Sequence, residues 1–239
     1  MTGKIIGLTG SVAMGKSTTA RLFGNIGCAV HDADAAVHRL MAPGGAAVGV
    51  LAGRFDGVVG ADGGIDRKAL GRHVFADPAE LAALERILHP LVSLDRQRFF
   101  RQRAGRGIDR HKPVILDIPL LFETGAGEEC DLVLVVSAPS LIQRQRFLAR
   151  PGATEERLRS VLARQMPDWQ KRRLADQVIP SGLGLAVALR AVKRTCRLAK
   201  SANRRRTRRR AERRRLAAAI MGALDRHAGN RSRHGNHRA

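Results

Sequence analysis

Short apolar runs recur along the chain, and helix-like patterns fill the intervals between them. Five of the runs are three to six residues long and rich in Val, Ile and Leu. That composition is typical of strands that are buried on both faces of a parallel sheet. The predicted strands cover residues 4–9, 28–30, 113–118, 132–136 and 177–179. The alternation of strands with helical patterns predicts an α/β fold with right-handed crossover connections.

The interval between the second and third predicted strands is too long for a single crossover helix, so it predicts an inserted helical subdomain at about residues 35–105. Asp66 precedes one helical pattern, and Asp77-Pro78 combines an N-cap residue with proline at the first helical position. A third helix is predicted over residues 91–103, after His89-Pro90. Two further helices are predicted later in the chain, one from a capping-box pattern at 140–143 and one from Thr154 followed by two glutamates.

The segment after the first predicted strand has the pattern G-x-x-x-x-G-K-[ST], which indicates a phosphate-binding P-loop. In this context, backbone N–H groups and a helix N-terminus would face the phosphates of a nucleotide. Lys16 would neutralise the β- and γ-phosphates, and the Ser17 hydroxyl would bind Mg²⁺. Ala13 stands where many such loops have glycine, and its small methyl group predicts a modest local effect. The alternative is a glycine-rich turn that binds nothing. The predicted ATP-binding residues here are Gly10, Ala13, Met14, Gly15, Lys16, Ser17 and Thr18.

Carboxylates follow two more of the predicted strands, and ligands of open α/β sheets bind outside the carboxyl ends of strands. Asp32 and Asp34 come after the second strand, where one carboxylate could take a proton from an attacking hydroxyl or hold Mg²⁺ through water. Alternatively, both cap the next helix; we expect one residue for each task, with Asp34 as the base. Asp117 ends the third strand, either as a magnesium-directed carboxylate of the Walker B type or as a plain turn residue.

Composition narrows the classes of function. Aromatic residues make up 3% of the chain, with no Tyr and one Trp, which disfavours a base-stacking platform for single-stranded nucleic acid. No apolar run approaches the roughly 18 residues that a membrane span requires, and the N-terminal apolar piece is too short for a signal peptide. Cys28, Cys130 and Cys196 are widely spaced and form no C-x-x-C pattern, so they are expected to be reduced thiols. We therefore expect a cytoplasmic protein.

The net charge of +22 is concentrated at one end of the chain. Residues 190–239 contain 18 of the 43 Lys and Arg residues but two of the 21 acidic residues. The segment 201–239 could be a nucleic-acid or anionic-membrane patch, a dispensable extension, or the product of an uncertain gene boundary. The last two are favoured, and contact with a membrane or nucleic acid is not.

An ordered set of motifs resembles the dephospho-CoA kinase family over about residues 4–190. The P-loop itself is generic, whereas the combination of DAD, HP and PLLFE at these separations is much more specific. The matching stretches are 6–10 before the P-loop, Asp32-Ala33-Asp34, 64–67, Leu70-Gly71, Val74-Phe75, Leu88-His89-Pro90, 117–123, and the series Gln143, Arg146 and Arg150.

The resemblance implies a P-loop NTPase fold with a five-stranded parallel sheet, in which residues 1–200 form the kinase domain. It implies a monomer that uses MgATP to phosphorylate the ribose 3′-hydroxyl of dephospho-CoA. Residues 138–171 would be a lid. Asp34 looks like the base, with Asp32 shaping the same site. Arg146 and Arg150 would close on the ATP phosphates. The implied substrate-binding residues are Arg67, His89, Pro119, Leu120 and Glu123, and the implied metal-binding residues are Ser17 and Asp117.

Each implied role has a structural alternative. His89 could end a helix before Pro90, and Gln143 could only complete a capping box. Arg146 and Arg150 could be a solvated helix face. The chain also departs from the family at His38, where many members have arginine, and at 180–181, where many have Asp-Asn. Two other functions stay open: a P-loop kinase of nucleosides or nucleotides, and a nucleic-acid-associated NTP-binding protein.

Overall fold

The computed structural model describes residues 4–105 and 112–201. The described residues divide into two compact units, the first formed by residues 4–30 and 112–201 and the second by residues 31–105. The strands are β1 (Ile5–Thr9), β2 (Ala29–Asp32), β3 (Val114–Asp117), β4 (Leu132–Ser137) and β5 (Gln177–Pro180). The helices are α1 (Lys16–Asn25), α2 (Ala33–Met41), α3 (Val48–Ala52), α4 (Arg67–Ala76), α5 (Pro78–Gly105), α6 (Ser140–Leu148), α7 (Glu155–Ala163), α8 (Asp168–Leu174) and α9 (Leu185–Ser201), with a 3₁₀ turn at Ala126–Glu129.

The five predicted strands are confirmed and form one sheet in the order β2-β3-β1-β4-β5. β1 lies between β3 and β4 and runs parallel to both, with Leu8 opposite Asp117 on one side and Leu134 on the other. β4 and β5 are also parallel. The carboxyl ends of these strands therefore meet at one edge of the sheet, and the P-loop follows the central strand at that edge.

The core of the first unit forms because its strands are buried on both faces, as their apolar composition predicts. Ile6, Ile115 and Leu134 are fully buried and pack with Phe23 of α1 and Val192 of α9. No helix in the described parts of the chain is both long and apolar enough to cross a membrane. The basic segment discussed above lies outside the described residues from position 202 onward.

The second unit has an apolar core of its own, formed by α2–α5 and the loops between them. Leu51, Phe55 and Val58 are almost fully buried in it. The predicted N-cap at Asp66 is confirmed, since its carboxylate accepts hydrogen bonds from the N–H groups of Lys68 and Ala69. Those bonds hold the pKa of Asp66 below its ordinary value.

The separate helix predicted over residues 91–103 is wrong, as is the alternative in which His89 ends a helix. Residues Pro78–Gly105 form one helix with Pro90 in its interior. Proline inside a helix removes one hydrogen bond and costs about 3 kcal/mol. Leu84 and Leu88 before Pro90, and Leu91 after it, all pack against the same apolar core. Burial on both sides of the proline outweighs its local cost.

Candidate active site

The P-loop is shaped by two glycines. A Cβ at Gly10 would lie 2.6 Å from the carbonyl oxygen of Val136 on β4, so only glycine fits against that strand. Gly15 has a φ of +87°, which favours glycine, and it caps α1 without any side-chain hydrogen bond. The first N–H groups of α1 are therefore not occupied by a capping side chain, which suits an anion-binding helix N-terminus.

Lys16 and Asp117 meet beside the loop. Lys16 Nζ lies 2.6 Å from Asp117 Oδ1, and the side chains are 15% and 4% exposed. Both residues were predicted for the site, one from the P-loop pattern and one from its place at the end of a strand. Parallel pairing of β1 with β3 brings them together across 101 positions of sequence. Ser17 and Thr18 follow as exposed residues in the first turn of α1.

Ala13 adopts a backbone conformation that alanine rarely takes. Its φ is +59°, in the left-handed region, and its methyl group is buried against Phe147 of α6 and Leu158 of α7. The left-handed conformation costs an L-residue about 1–2 kcal/mol. Ala13 thus combines a strained backbone with a methyl group that packs against residues 138–171, which is more than the local effect expected from its size.

Two glutamines form hydrogen bonds with the backbone of Val12, the residue before Ala13. Val12 N–H donates to Gln165 Oε1 at 3.0 Å, and Gln143 Nε2 donates to the Val12 carbonyl oxygen at 2.8 Å. The predicted capping box is therefore wrong, because α6 is capped at Pro139 without a side-chain bond. Gln143 is buried, and a buried amide that lacks a partner is costly, so its amide bonds to the P-loop instead.

Ser181 connects the predicted lid arginine to the loop. The Ser181 hydroxyl donates to the Met14 carbonyl oxygen at 2.6 Å. Arg146 donates to the same hydroxyl at 3.1 Å and to the Ser181 carbonyl oxygen at 2.8 Å. The guanidinium is exposed and lies near Gly15. Arg150 is also exposed but lies over the Phe147 ring, at 5.7 Å from its centroid. The structure brings Arg146, but not Arg150, into contact with the residues around the loop.

Glu123 of the PLLFE segment is engaged with residues that lie after α7. Its Oε1 accepts from the Met166 N–H at 2.9 Å and lies 2.8 Å from Nζ of Lys171, which is fully buried. Breaking a buried pair by removing one partner costs roughly 3–5 kcal/mol. Pro119 is held by its carbonyl oxygen, which accepts from the Thr9 hydroxyl at 2.8 Å, and Leu120 is exposed. Of this predicted group, Glu123 is therefore the residue with an evident structural task.

The second unit holds the DAD motif, whose two carboxylates differ. Asp32 caps α2 by accepting from the Ala35 N–H at 3.0 Å. Asp34 lies in the first turn of α2 and is exposed, and the described residues provide no hydrogen-bond partner for its side chain. One carboxylate is thus used as a cap, and the other is accessible for chemistry.

His31 precedes this motif and is buried. Its Nε2 lies 2.9 Å from Asp95 Oδ2 on α5, and Arg39 donates to the same oxygen at 2.9 Å. The His31 ring also meets Phe99 edge-on. Burial opposes ionisation of Asp95, but the bonds from His31 and Arg39 outweigh it and hold the pKa of Asp95 below its ordinary value. This network joins the end of β2 and the last turn of α2 to α5.

Two of the predicted substrate residues, Arg67 and His89, also lie in this unit. Arg67 is exposed in the first turn of α4, and its guanidinium contacts the His38 ring at 2.9 Å. His38 therefore provides a partner for Arg67 at the position where many family members have arginine. His89 is exposed within α5.

Sequence reasoning missed several residues of the first unit: Gln165, Lys171 and Ser181. Each acts on a partner far away in sequence, 153 positions away in the case of Gln165 and Val12. No local pattern at these positions, such as a capping motif or a strand end, could have indicated those contacts.

Comparison with known proteins shows which family the chain resembles. A family model described as dephospho-CoA kinase matches residues 4–185. A dephospho-CoA kinase from Rhodospirillum rubrum is 53% identical over 201 residues, which are 84% of this chain and 94% of that protein. One from Paramagnetospirillum magneticum is 56% identical over 169 residues, covering 71% of this chain and 78% of that protein.

Solved structures share the fold. The crystal structure of a Thermus thermophilus protein matches with a TM-score of 0.70 at 35% identity and covers 85% of this chain and 100% of that chain. A dephospho-CoA kinase from Campylobacter jejuni matches with a TM-score of 0.60 at 23% identity, covering 83% and 98% respectively.

Proposed function

The chain belongs to the dephospho-CoA kinase family, and from this premise we propose how its residues carry out the reaction. The enzyme transfers the γ-phosphoryl group of ATP to the ribose 3′-hydroxyl of dephospho-CoA and so forms coenzyme A and ADP, the last step of coenzyme A biosynthesis. The observation that carries the proposal is the P-loop at the end of the central strand, with Lys16 beside the carboxylate of Asp117.

Lys16 and the backbone around it bind the nucleotide. The ammonium group neutralises negative charge on the β- and γ-phosphates, and the N–H groups at the start of α1 bind phosphate oxygens. The strained, glycine-shaped loop supports this role, because such a loop brings the backbone close to a ligand. Phosphoryl transfer depends mainly on positioning and charge stabilisation, which these groups supply.

Mg²⁺ fits the oxygen ligands at this edge of the sheet. Ser17 presents an exposed hydroxyl in the first turn of α1, and Asp117 presents a carboxylate at the end of β3. Within residues 4–105 and 112–201 there is no cluster of three His, Cys, Asp or Glu suited to a metal. Mg²⁺ at such sites is held by one or two protein oxygens, substrate phosphates and water. The ion supplies further charge neutralisation on the phosphates when it is bound.

Asp34 acts as the base on the acceptor. It takes the proton of the 3′-hydroxyl as that oxygen bonds to the γ-phosphorus, while the bond from phosphorus to the leaving oxygen of ADP breaks. Its exposure after β2 and its lack of a hydrogen-bond partner among the described residues support this role. Asp32 shapes the turn as the cap of α2.

Dephospho-CoA is bound by Arg67, His89, Pro119 and Leu120. Glu123 orders the PLLFE segment through its ion pair with Lys171. Arg146 binds ATP phosphate oxygens, since a planar guanidinium forms bidentate bonds to phosphate and keeps its charge when desolvated. Arg150, which follows α6 and lies over the Phe147 ring, assists it. The protein acts as a cytoplasmic monomer, and its basic segment has no part in the reaction.

The test is a coupled assay that measures ADP release with dephospho-CoA and with a panel of nucleosides and nucleotides. We expect turnover with dephospho-CoA and little with the panel. Lys16→Ala should abolish turnover in a protein that still folds, because the lysine neutralises charge at the transferring phosphoryl group. Its melting temperature should fall, because the buried carboxylate of Asp117 loses this partner. Lys193→Ala, at an exposed position of α9, is the matched control and should behave as wild type.

Equal turnover with a nucleoside would instead favour the alternative function, a P-loop kinase of nucleosides or nucleotides. Near wild-type turnover in folded Lys16→Ala would contradict the assignment of the P-loop.

A further inference from the structure

We infer that Gln143 and Gln165 are positioning residues of the nucleotide site. They bind the two sides of Val12 and thereby hold the P-loop in the conformation that accepts ATP phosphates. This inference rests on the proposed nucleotide site and adds to it two residues that would act through the loop rather than on the substrate.

The hydrogen bonds at Val12 have a fixed direction. Its N–H can only donate, and it donates to Gln165 Oε1 at 3.0 Å. Its carbonyl oxygen can only accept, and it accepts from Gln143 Nε2 at 2.8 Å. The orientation of both amide groups follows from these partners, and each glutamine uses a different atom of its amide.

The two glutamines come from different parts of the predicted lid. Gln143 lies on α6 and is buried, with 6% of its surface exposed. Gln165 lies between α7 and α8. Two separate segments therefore converge on one residue of the P-loop, which a contact formed only for packing does not require.

The backbone of Ala13, which follows Val12, explains why these two hydrogen bonds are needed. Ala13 is held at a φ of +59°, a conformation that persists only where the surroundings enforce it. On its other side, Met14 N–H donates to the Ser11 carbonyl oxygen at 3.2 Å, and the Met14 carbonyl oxygen accepts from Ser181. The loop is thus held on both sides of Ala13, and the glutamines provide the N-terminal half of that support.

The same side chains determine which N–H groups are left for phosphate. The Val12 N–H is used by Gln165, and the Met14 N–H by the turn, so neither is available to a ligand in this conformation. Loss of either glutamine would free Val12 and let Ala13 relax toward an ordinary φ. We therefore expect weaker nucleotide binding without a change in the binding of dephospho-CoA.

The experiment uses neutral and charged substitutions at both positions. Gln143→Met and Gln165→Met remove one hydrogen bond each without adding charge. Each should raise the dissociation constant of ATP about fivefold or more, since a hydrogen bond to a buried backbone group contributes on that order. The KM for dephospho-CoA should stay within about twofold of wild type. A substitution that only destabilised the fold would lower the melting temperature and would weaken the binding of ATP and dephospho-CoA alike.

Glutamate substitutions separate the donor from the acceptor. Gln165→Glu keeps an oxygen for the Val12 N–H, whereas Gln143→Glu places a carboxylate against a carbonyl oxygen. Because both variants add the same charge near the loop, we expect Gln143→Glu to bind ATP at least about tenfold more weakly than Gln165→Glu. Gln145→Glu, exposed on the same helix as Gln143, is the control for charge alone and should bind ATP as wild type does.

The binding measurements are made by titration with ATP and by KM values for both substrates, with melting temperatures alongside. Folded Gln143→Met or Gln165→Met with wild-type affinity for ATP would overturn the inference. Equal losses in the two glutamate variants would overturn it as well. Should a variant at 143 not fold, the affinity of folded Gln165→Met for ATP decides alone. A wild-type protein that does not bind ATP would instead contradict the proposed function.

Discussion

At the scale of single residues, the two carboxylates of the DAD motif show how neighbours in sequence acquire different tasks. Asp32 is bonded to the backbone of α2, whereas Asp34 is exposed two positions later. Because the carboxylate of Asp32 is partly occupied by its N–H bond, we propose Asp34 as the base.

Asp34→Asn preserves shape but can neither take a proton nor carry charge. We expect kcat to fall by roughly 10²-fold or more, with little change in the KM for dephospho-CoA. Asp32→Asn should be milder, because asparagine caps helices about as well as aspartate. Single-turnover rates at saturating MgATP measure both. A larger loss in Asp32→Asn would reverse the assignment of the base, and no loss in either would mean that both carboxylates are structural.

At the scale of elements, the end of β2 and the last turn of α2 are joined to the middle of α5 by His31, Arg39 and Asp95. This contact acts on the element that carries Asp32 and Asp34. Its strength should depend on pH, because its acceptor is a carboxylate whose pKa is lowered by folding.

The lowered pKa of Asp95 determines how the stability of this unit should change with pH. A pKa lowered by folding contributes stability above the unfolded value, about 3.9, and the contribution is lost as the pH falls through the folded value. Asp95→Asn should therefore unfold at a lower urea concentration than wild type at pH 7. The two should converge as the pH falls below about 4. Asp56→Asn, at an exposed loop position of the same unit, is the control and should follow wild type throughout. A gap between Asp95→Asn and wild type that persists at pH 3 would contradict the electrostatic origin.

At the scale of the whole molecule, the kinase motifs all precede the basic segment. α9 nevertheless belongs to the core, since Ala188, Val192 and Ala199 are almost fully buried. The two parts of the C-terminal region should therefore respond differently to truncation.

Truncation after Lys200 should leave kcat and both KM values within about twofold of wild type, since it keeps the buried residues Ala188, Val192 and Ala199 of α9. Truncation after Gly184 removes that helix and should prevent stable folding, because burial of each large apolar side chain contributes about 1.5–3 kcal/mol. Activity assays and thermal melts measure both. Lost activity in a folded protein that ends at Lys200 would give the basic segment a catalytic role.

The sequence by itself determined the strands, the P-loop, and the helix starts at Asp66 and Thr154. These features depend on periodicity, on capping residues and on glycine, all of which act within a few positions of the chain. For the same reason the sequence indicated Lys16 and Asp117 separately, each from its own strand end.

The tertiary structure alone decided which distant groups meet. It kept α5 continuous through Pro90, assigned Gln143 to Val12 rather than to a cap, and paired Glu123 with Lys171. It also placed the sulfur atoms of Cys28 and Cys196 3.6 Å apart, although the sequence showed only widely spaced thiols. Burial and hydrogen bonding stabilise contacts between groups that are more than 20, and often more than 100, positions apart. Where these contacts compete with a local preference of about 1–3 kcal/mol, the packed core prevails.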